Sequence, residues 1–372
     1  MGRLADILAA AGHEVTTLIP EIDVTLKDGT TNTTIIRIPV SPKASEKFDL
    51  LMNNPDANFF TLPLDHPLMP LMVGPLFSAT FSSQCEATVN HPGLIDKLTN
   101  EHFDPSALVI VSSTNLFENI ARDIGVPVQT SYVPGFMTIR VDPHSLWSRF
   151  RNRLNVAINS FFFDMNANGC NAVFREKFGP SFPSMAEITS KAALVLTNGE
   201  PLIDHGAPTL KKIVDLGGIG AKNPVSLDKY WNKILSLRKR TVLVSFGSIA
   251  KAINMPGNLR HSVLQSLASF PDVTFIWKYE DLKDDFALNH ASKVDNVVLS
   301  SWMPQNDLLA DPRVVAFVSH AGMGSVYEAA LRGPRNAGTM EMKGIAKVFD
   351  KFQLGDPAAF TAAVADLLED EK

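Results

Sequence analysis

The sequence predicts an α/β protein whose second half is a parallel, doubly wound sheet. Three observations carry this. After residue 240, short β-branched apolar runs alternate with helical patterns, the rhythm of strand–helix–strand units. The 372 residues exceed what one hydrophobic core usually fills, so two domains are expected. The composition, 45% hydrophobic and 20% charged, is that of an ordinary globular protein.

The elements follow in order. Leu4, Ile7, Leu8 and Ala11 sit at helical spacing, Gly12 stops that helix, and residues 15–19 are β-branched and apolar. Residues 20–100 are rich in Pro and Asn with weak periodicity, which predicts loops and short helices. Residues 107–112 read as a buried strand. Residues 147–163 are basic and aromatic, with Arg149, Arg151 and Arg153 ahead of Phe161, Phe162 and Phe163. Two readings fit that segment: an amphipathic membrane-touching helix, or a packed helix with one solvated face, and the second is preferred. Residues 192–197 are another strand. The Pro- and Gly-containing loop 201–208 sets the boundary between a domain 1–205 and a domain 206–372. In the second domain, strands are expected at 241–245, 273–278, 297–300 and 314–319. Helices are expected at 259–270, 305–310, 325–332 and 358–368. A sheet of this kind binds ligands beyond the carboxyl ends of its strands, where the strand order reverses.

Charge and cysteine usage narrow the function. The net charge is −5 and Lys and Arg are not clustered, so no nucleic-acid partner is expected. Cys85 and Cys170 are the only cysteines, too few for a disulfide framework; their spacing does not decide whether they form one bridge. The chain opens without a secretory signal pattern. Its longest charge-free run, 67–85, contains Pro67, Pro70 and Pro75 and so is not expected to span a membrane. Taken as written, the chain reads as soluble and cytoplasmic. The sequon Asn32-Thr33-Thr34 matters only in the secretory pathway, and a chance occurrence is the preferred reading.

Three loops after strands hold chemistry suited to a nucleotide. In Ser245-Phe246-Gly247-Ser248, Gly247 lets the backbone come close, and Ser248 offers a hydroxyl and an amide to a phosphate. A plain strand-to-loop turn explains this segment equally well. In Ser301-Trp302-Met303-Pro304-Gln305, the Trp302 indole can stack on a base, and Gln305 can donate and accept at a base edge or ribose. A core Trp beneath a loop is the competing reading. In Ser319-His320-Ala321-Gly322-Met323-Gly324-Ser325, a strand end runs into a helix N-terminus, which points amides and the helix dipole at an anion. Gly322 and Gly324 permit close approach, His320 and Ser325 can donate to a diphosphate, and Glu328 can hold ribose hydroxyls. A lone His at a strand end is more often structural. The three loops together are far more specific than any one of them.

Trp302-Met303-Pro304-Gln305, Leu308-Leu309, Pro312, Phe317, Ser319-His320, Gly322, Ser325, Glu328 and Gly333 fall in one stretch. That stretch resembles the signature of UDP-glycosyltransferases. Leu196-Thr197-Asn198-Gly199-Glu200-Pro201 and Leu216-Gly217-Gly218-Ile219-Gly220 resemble its animal glucuronosyltransferase branch. The resemblance implies the GT-B arrangement, two Rossmann-like domains facing a cleft. The second domain would hold the UDP-sugar, UDP-glucuronate or UDP-glucose. The first would hold a small lipophilic acceptor. It further implies that Trp302 stacks on uracil, Gln305 contacts the nucleotide, His320 and Ser325 bind the diphosphate, and Glu328 binds ribose. The implied reaction is inverting sugar transfer, with a His base held by an Asp and with neither metal nor further cofactor. The family's home is the endoplasmic reticulum membrane, with the catalytic part in the lumen. Self-association, or association with a related transferase, stays open.

Three departures qualify the resemblance. The family's catalytic His belongs just before the first helix, upstream of Met1; His13 does not replace it, and no catalytic residue is assigned. The orienting Asp has no convincing counterpart, since Asp104 in the shortened segment Phe103-Asp104-Pro105 does not fit and neither does Asp123. After Gly333 the chain passes at once to Pro334-Arg335-Asn336-Ala337-Gly338, without the strand and the Asp-Gln pair that grip the sugar. The family's membrane helix and basic tail are also not read before Lys372. Weak or absent turnover is therefore expected. The alternatives are a non-catalytic UDP-binding module that modulates a full-length relative, and a chain that does not fold stably.

Overall fold

The computed structural model describes residues 2–23, 28–52, 58, 60–63, 66, 68–100, 107–136, 138, 140–201, 204–248, 250–332 and 347–369. Asp104 and residues 333–338, on which two of the departures rest, lie outside them. The chain forms two compact units, Met1–Asn53 with Pro63–Gly220, and Asn54–Leu62 with Ala221–Lys372.

The first unit opens with α1 (Gly2–Ala10) and the parallel strands β1 (Thr16–Pro20) and β2 (Thr34–Ile38). Asp6 on α1 is buried and accepts from the Thr30 hydroxyl at 2.6 Å and the Thr31 amide at 2.9 Å, which ties the β1–β2 connection to the helix. The loops and short helices expected over 20–100 are corrected. That stretch holds β2, α2 (Pro42–Met52), the 21-residue α3 (Met69–Val89) and α4 (Leu94–Asn100). α3 tolerates its prolines by position: Pro70 lies at the helix start, where its missing N–H costs nothing, and Pro75 removes one interior bond. No helix among the described residues is long and apolar enough to cross a membrane.

After β3 (Val109–Val111) and α5 (Glu118–Ile124) comes α6 (Leu146–Phe178), capped by Ser145 and ended at Gly179. α3 and α6 pack closely because small residues face each other: a Cβ on Gly169 would lie 3.0 Å from Ser78 Oγ and 3.1 Å from Ser82 Cβ. Cys85 on α3 and Cys170 on α6 are joined as a disulfide, which answers what the spacing left open. α7 (Met185–Ser190), β4 (Leu194–Thr197) and β5 (Ile213–Asp215) complete a parallel sheet ordered β3–β4–β5. Residues 206–220, read from sequence as the start of the second domain, group with the first unit. The cause is β5, whose backbone pairs with β4.

The second unit carries α8 (Lys229–Leu235), β6 (Arg240–Ser245), α9 (Gly257–Ala268), β7 (Val273–Lys278), α10 (Asp285–Asn289), β8 (Val297–Ser300), α11 (Gln305–Leu309), β9 (Val314–Ser319), α12 (Met323–Arg332) and α13 (Pro357–Glu369). Its sheet is parallel throughout, ordered β8–β7–β6–β9. The strand alternation sorts side chains onto two covered faces. Val242, Val244, Phe275 and Trp277 pack with Val263 and Leu267 of α9 and Phe360 of α13. Leu243, Ile276 and Phe317 pack with Leu235 of α8, Leu308 and Leu309 of α11 and Ala329 of α12. All six residues of β7 are buried, as a central strand covered on both faces requires. Each such apolar side chain contributes about 1.5–3 kcal/mol. The fold class is α/β with parallel sheets, as the alternating pattern predicts.

Candidate nucleotide-sugar site

The strand order of the second unit defines where a candidate ligand site falls. The chain moves from β6 outward through β7 to β8, then returns to lay β9 on the other side of β6. The order reverses between β6 and β9, the point at which a sheet of this kind binds its ligands. Register aligns their ends, Ser245 opposite Ser319, while Lys278 pairs with Ser300.

Two of the sequence-derived loops meet around one imidazole. Gly247 has φ 92°, a conformation that L side chains rarely adopt. A Cβ there would lie 2.4 Å from His320 Cε1, and one on Gly322 would lie 2.5 Å from His320 Nε2. The ring is therefore bounded by the backbones of two glycines, while the residue keeps an edge open to solvent. Ala321 itself has φ 60°, and the Ser319 hydroxyl accepts its amide at 3.2 Å. Beneath the loop, Lys278 Nζ donates to the Gly247 carbonyl at 2.6 Å and to Glu280 Oε1 at 3.1 Å. Burial lowers the His320 pKa from its ordinary value, and the Lys278 charge lowers it further.

The second and third loops meet in a polar cluster. Gln305, at the start of α11, donates from Nε2 to Glu328 Oε2 at 2.7 Å and to Ser325 Oγ at 3.1 Å, both on α12. Burial pushes the Glu328 carboxyl up, the Gln305 amide pulls against it, and Asp307 adds a smaller push. The α12 ladder begins with the Val326 amide bonded to the Gly322 carbonyl at 3.0 Å. The first-turn amides of such a helix have no acceptor within it.

Trp302 is 63% exposed, which excludes the reading of a core Trp. Its loop is held from both sides: Met303 is buried, and Ser300 Oγ donates to the Trp302 carbonyl at 2.7 Å. Ser248 and Gly324 are exposed, and a Cβ on Gly324 would meet nothing within 4 Å. Sequence reasoning missed Lys278 and Phe60. Lys278 had a signal, a lone cation ending a strand of otherwise uncharged residues. Phe60 had none; it packs edge-on against Phe246 with centroids 5.5 Å apart, although far from it in sequence. Among the described residues no group of three or more His, Cys, Asp or Glu side chains could hold a metal.

This fold is shared with solved glycosyltransferases. The chain is similar to the glycotransferase of kitacinnamycin (TM-score 0.53, 16% identity, 99% of this chain and 86% of that one). It is also similar to Phytolacca americana UGT2, solved with UDP-2fluoro-glucose and pterostilbene (TM-score 0.52, 14% identity, 99% and 87%). The fold is thus that of a GT-B glycosyltransferase. The family described as UDP-glucoronosyl and UDP-glucosyl transferase matches residues 107–335, and the chain belongs to it. Its relatives include the putative UDP-glucuronosyltransferase ugt-48 of Caenorhabditis elegans, 28% identical over 99% of this chain and 76% of that protein. The UDP-glycosyltransferase UGT5 of Dactylopius coccus is 28% identical over 60% of this chain and 42% of that protein. The alignment to ugt-48 spans 402 residues, more than the 372 of this chain, so ugt-48 carries insertions relative to it.

Proposed function

We propose that this chain binds a UDP-sugar at the carboxyl ends of β6, β8 and β9, as donor for inverting sugar transfer to small lipophilic acceptors, with weak or absent turnover because no His base is assigned. The observation that carries this is the convergence at His320: two loops distant in sequence both give up side chains to seat one imidazole beside a helix N-terminus. In this reading Trp302 stacks on the uracil and Gln305 lies at its edge or the ribose. Glu328 accepts from ribose hydroxyls. His320, Ser325, Ser248 and the amides around Gly322 and Gly324 take the diphosphate. Lys278 lies behind the Gly247 carbonyl and adds positive potential to the anion site. UDP-glucuronate and UDP-glucose are the donors in this proposal. The Cys85–Cys170 bridge supports life in an oxidising compartment, consistent with the endoplasmic reticulum lumen.

Isothermal titration of the chain with UDP, alongside Trp302→Ala, is the test. Saturable binding weakened by about tenfold to a hundredfold in the variant is expected, the worth of one stacked base. Unchanged binding in the variant would remove Trp302 from the site. A transfer assay with a phenolic acceptor then separates enzyme from module: UDP binding without turnover selects the non-catalytic reading.

A further inference from the structure

α6 is turned inside out. Over the first four turns its buried face carries three asparagines around Val156, with Asn152 1% exposed and Asn155 and Asn159 also buried. These amides serve the loop packed against them. Asn152 accepts from the Gly135 amide at 2.9 Å and donates to the Thr130 and Val133 carbonyls at 2.8 Å, and Asn155 donates to Thr138 Oγ1 at 3.1 Å. The outward face is apolar. Leu146 is 75% exposed, Trp147 70% and Phe150 58%, and Leu154 and Phe161 are exposed beyond them. Positions 147, 150, 154, 157 and 161 advance by alternating steps of three and four, so they form one continuous stripe. At about 100° per residue this stripe lies opposite the Asn row. A helix that gives water its aromatic side and the interior its amides has a non-aqueous surface to meet.

Charge selects that surface. Residues 143–163 contain Arg149, Arg151 and Arg153 and no carboxylate, in a chain whose net charge is −5. Arg151 and Arg153 are exposed, fall on opposite flanks of the stripe, and enter no ion pair among the described residues. We propose that this face of α6 docks in the plane of an anionic lipid surface, with Trp147 and Phe150 entering the headgroup–acyl boundary and Arg151 and Arg153 pairing with phosphates at its margins. Interfacial helices combine these features: an apolar stripe with Trp and Phe, basic flanks and no need to span. A second copy of the chain fits less well, since antiparallel apposition of two such faces sets arginine against arginine. The proposal is independent of the nucleotide site and of any spanning helix.

The test is flotation of the full chain with vesicles of phosphatidylcholine alone and with about one third phosphatidylserine. Binding to the mixed vesicles that weakens with added salt is expected. Trp147→Ser with Phe150→Ser should lower the partition coefficient at least about tenfold at both compositions. Arg151→Gln with Arg153→Gln should lower it about tenfold or more, on the mixed vesicles only. All four side chains are exposed, so the variants should keep the parent's melting temperature, and UDP titration checks that the second unit is intact. No partition of the parent chain, or equal partition of parent and variants, overturns the proposal. So does a dimer in size-exclusion chromatography that Trp147→Ser with Phe150→Ser converts to monomer, since the occupant is then a second copy.

Discussion

Two glycines at the proposed nucleotide site make opposite predictions for stability although both lie in the same pair of loops. Gly247 is needed by the folded chain itself: its φ is 92° and His320 occupies the space a methyl would take. Gly247→Ala should cost about 1–3 kcal/mol, read as a lower melting temperature, and should weaken UDP binding by displacing the ring. Gly324 has open space around its Cα and lies in the first turn of α12. Gly324→Ala should leave stability unchanged or raise it by up to about 1 kcal/mol, because alanine favours the helix. It should still weaken UDP binding, because the open space is where the diphosphate comes close in the proposed site. If Gly324→Ala binds UDP like the parent, the ligand does not approach there. At this scale the sequence singled out Trp302, Gln305, His320 and Glu328 as candidates, because each stands in or just after a loop that follows a strand signal. It did not announce that Gln305 bonds Glu328, since a contact between two helices depends on how both are packed.

The elements show where periodicity speaks and where it is silent. The strands of the second unit were legible because β6 and β7 are buried on both faces and carry β-branched and apolar residues along most of their length. α3 was not, because prolines and small residues hide a helix whose packing partner is α6. α6 was legible as a helix but not in its orientation: its apolar side looked like the core side, yet the asparagines are inside. α5 adds a titratable group to that polar interior. Glu118 is buried, accepts from the Phe136 amide at 2.6 Å through Oε1, and has no hydrogen-bond partner for Oε2 among the described residues. Burial raises its pKa, and the bonds to backbone amides only partly oppose this. The folded chain then holds the proton to a higher pH than the unfolded chain. Stability from this group is fullest below the ordinary Glu range and falls as pH rises from there through the raised folded value. Glu118→Gln keeps the acceptor for Phe136 and removes the titration. Urea unfolding from pH 4 to pH 7 should show the parent losing stability relative to the variant as pH rises. A difference between the two that does not change with pH would show that Glu118 has the same pKa in the folded and unfolded chains.

For the whole molecule, the division into two compact units was expected from length, but its position was not. β5 follows the Pro- and Gly-containing loop that looked like a boundary, and only its pairing with β4 assigns it to the first unit. The bridge between α3 and α6 belongs to that unit alone. It closes a loop with a sequence separation of 85, and a crosslink of this span stabilises by restricting the unfolded chain, typically by about 2–4 kcal/mol. The second unit has no cysteine and holds its core through the two covered faces of its own sheet. Reduction, or Cys85→Ser with Cys170→Ser, should therefore act unevenly along the chain. Hydrogen exchange read by peptide is the measurement. Protection should fall in α3 and α6 and persist in β6 and β7, while UDP should raise protection near Gly247 and Gly322 with or without the bridge. Equal loss of protection in both units on reduction would mean that the bridge supports the chain as a single cooperative structure, and the stability of the nucleotide site would then depend on the redox state of a disulfide in the other unit.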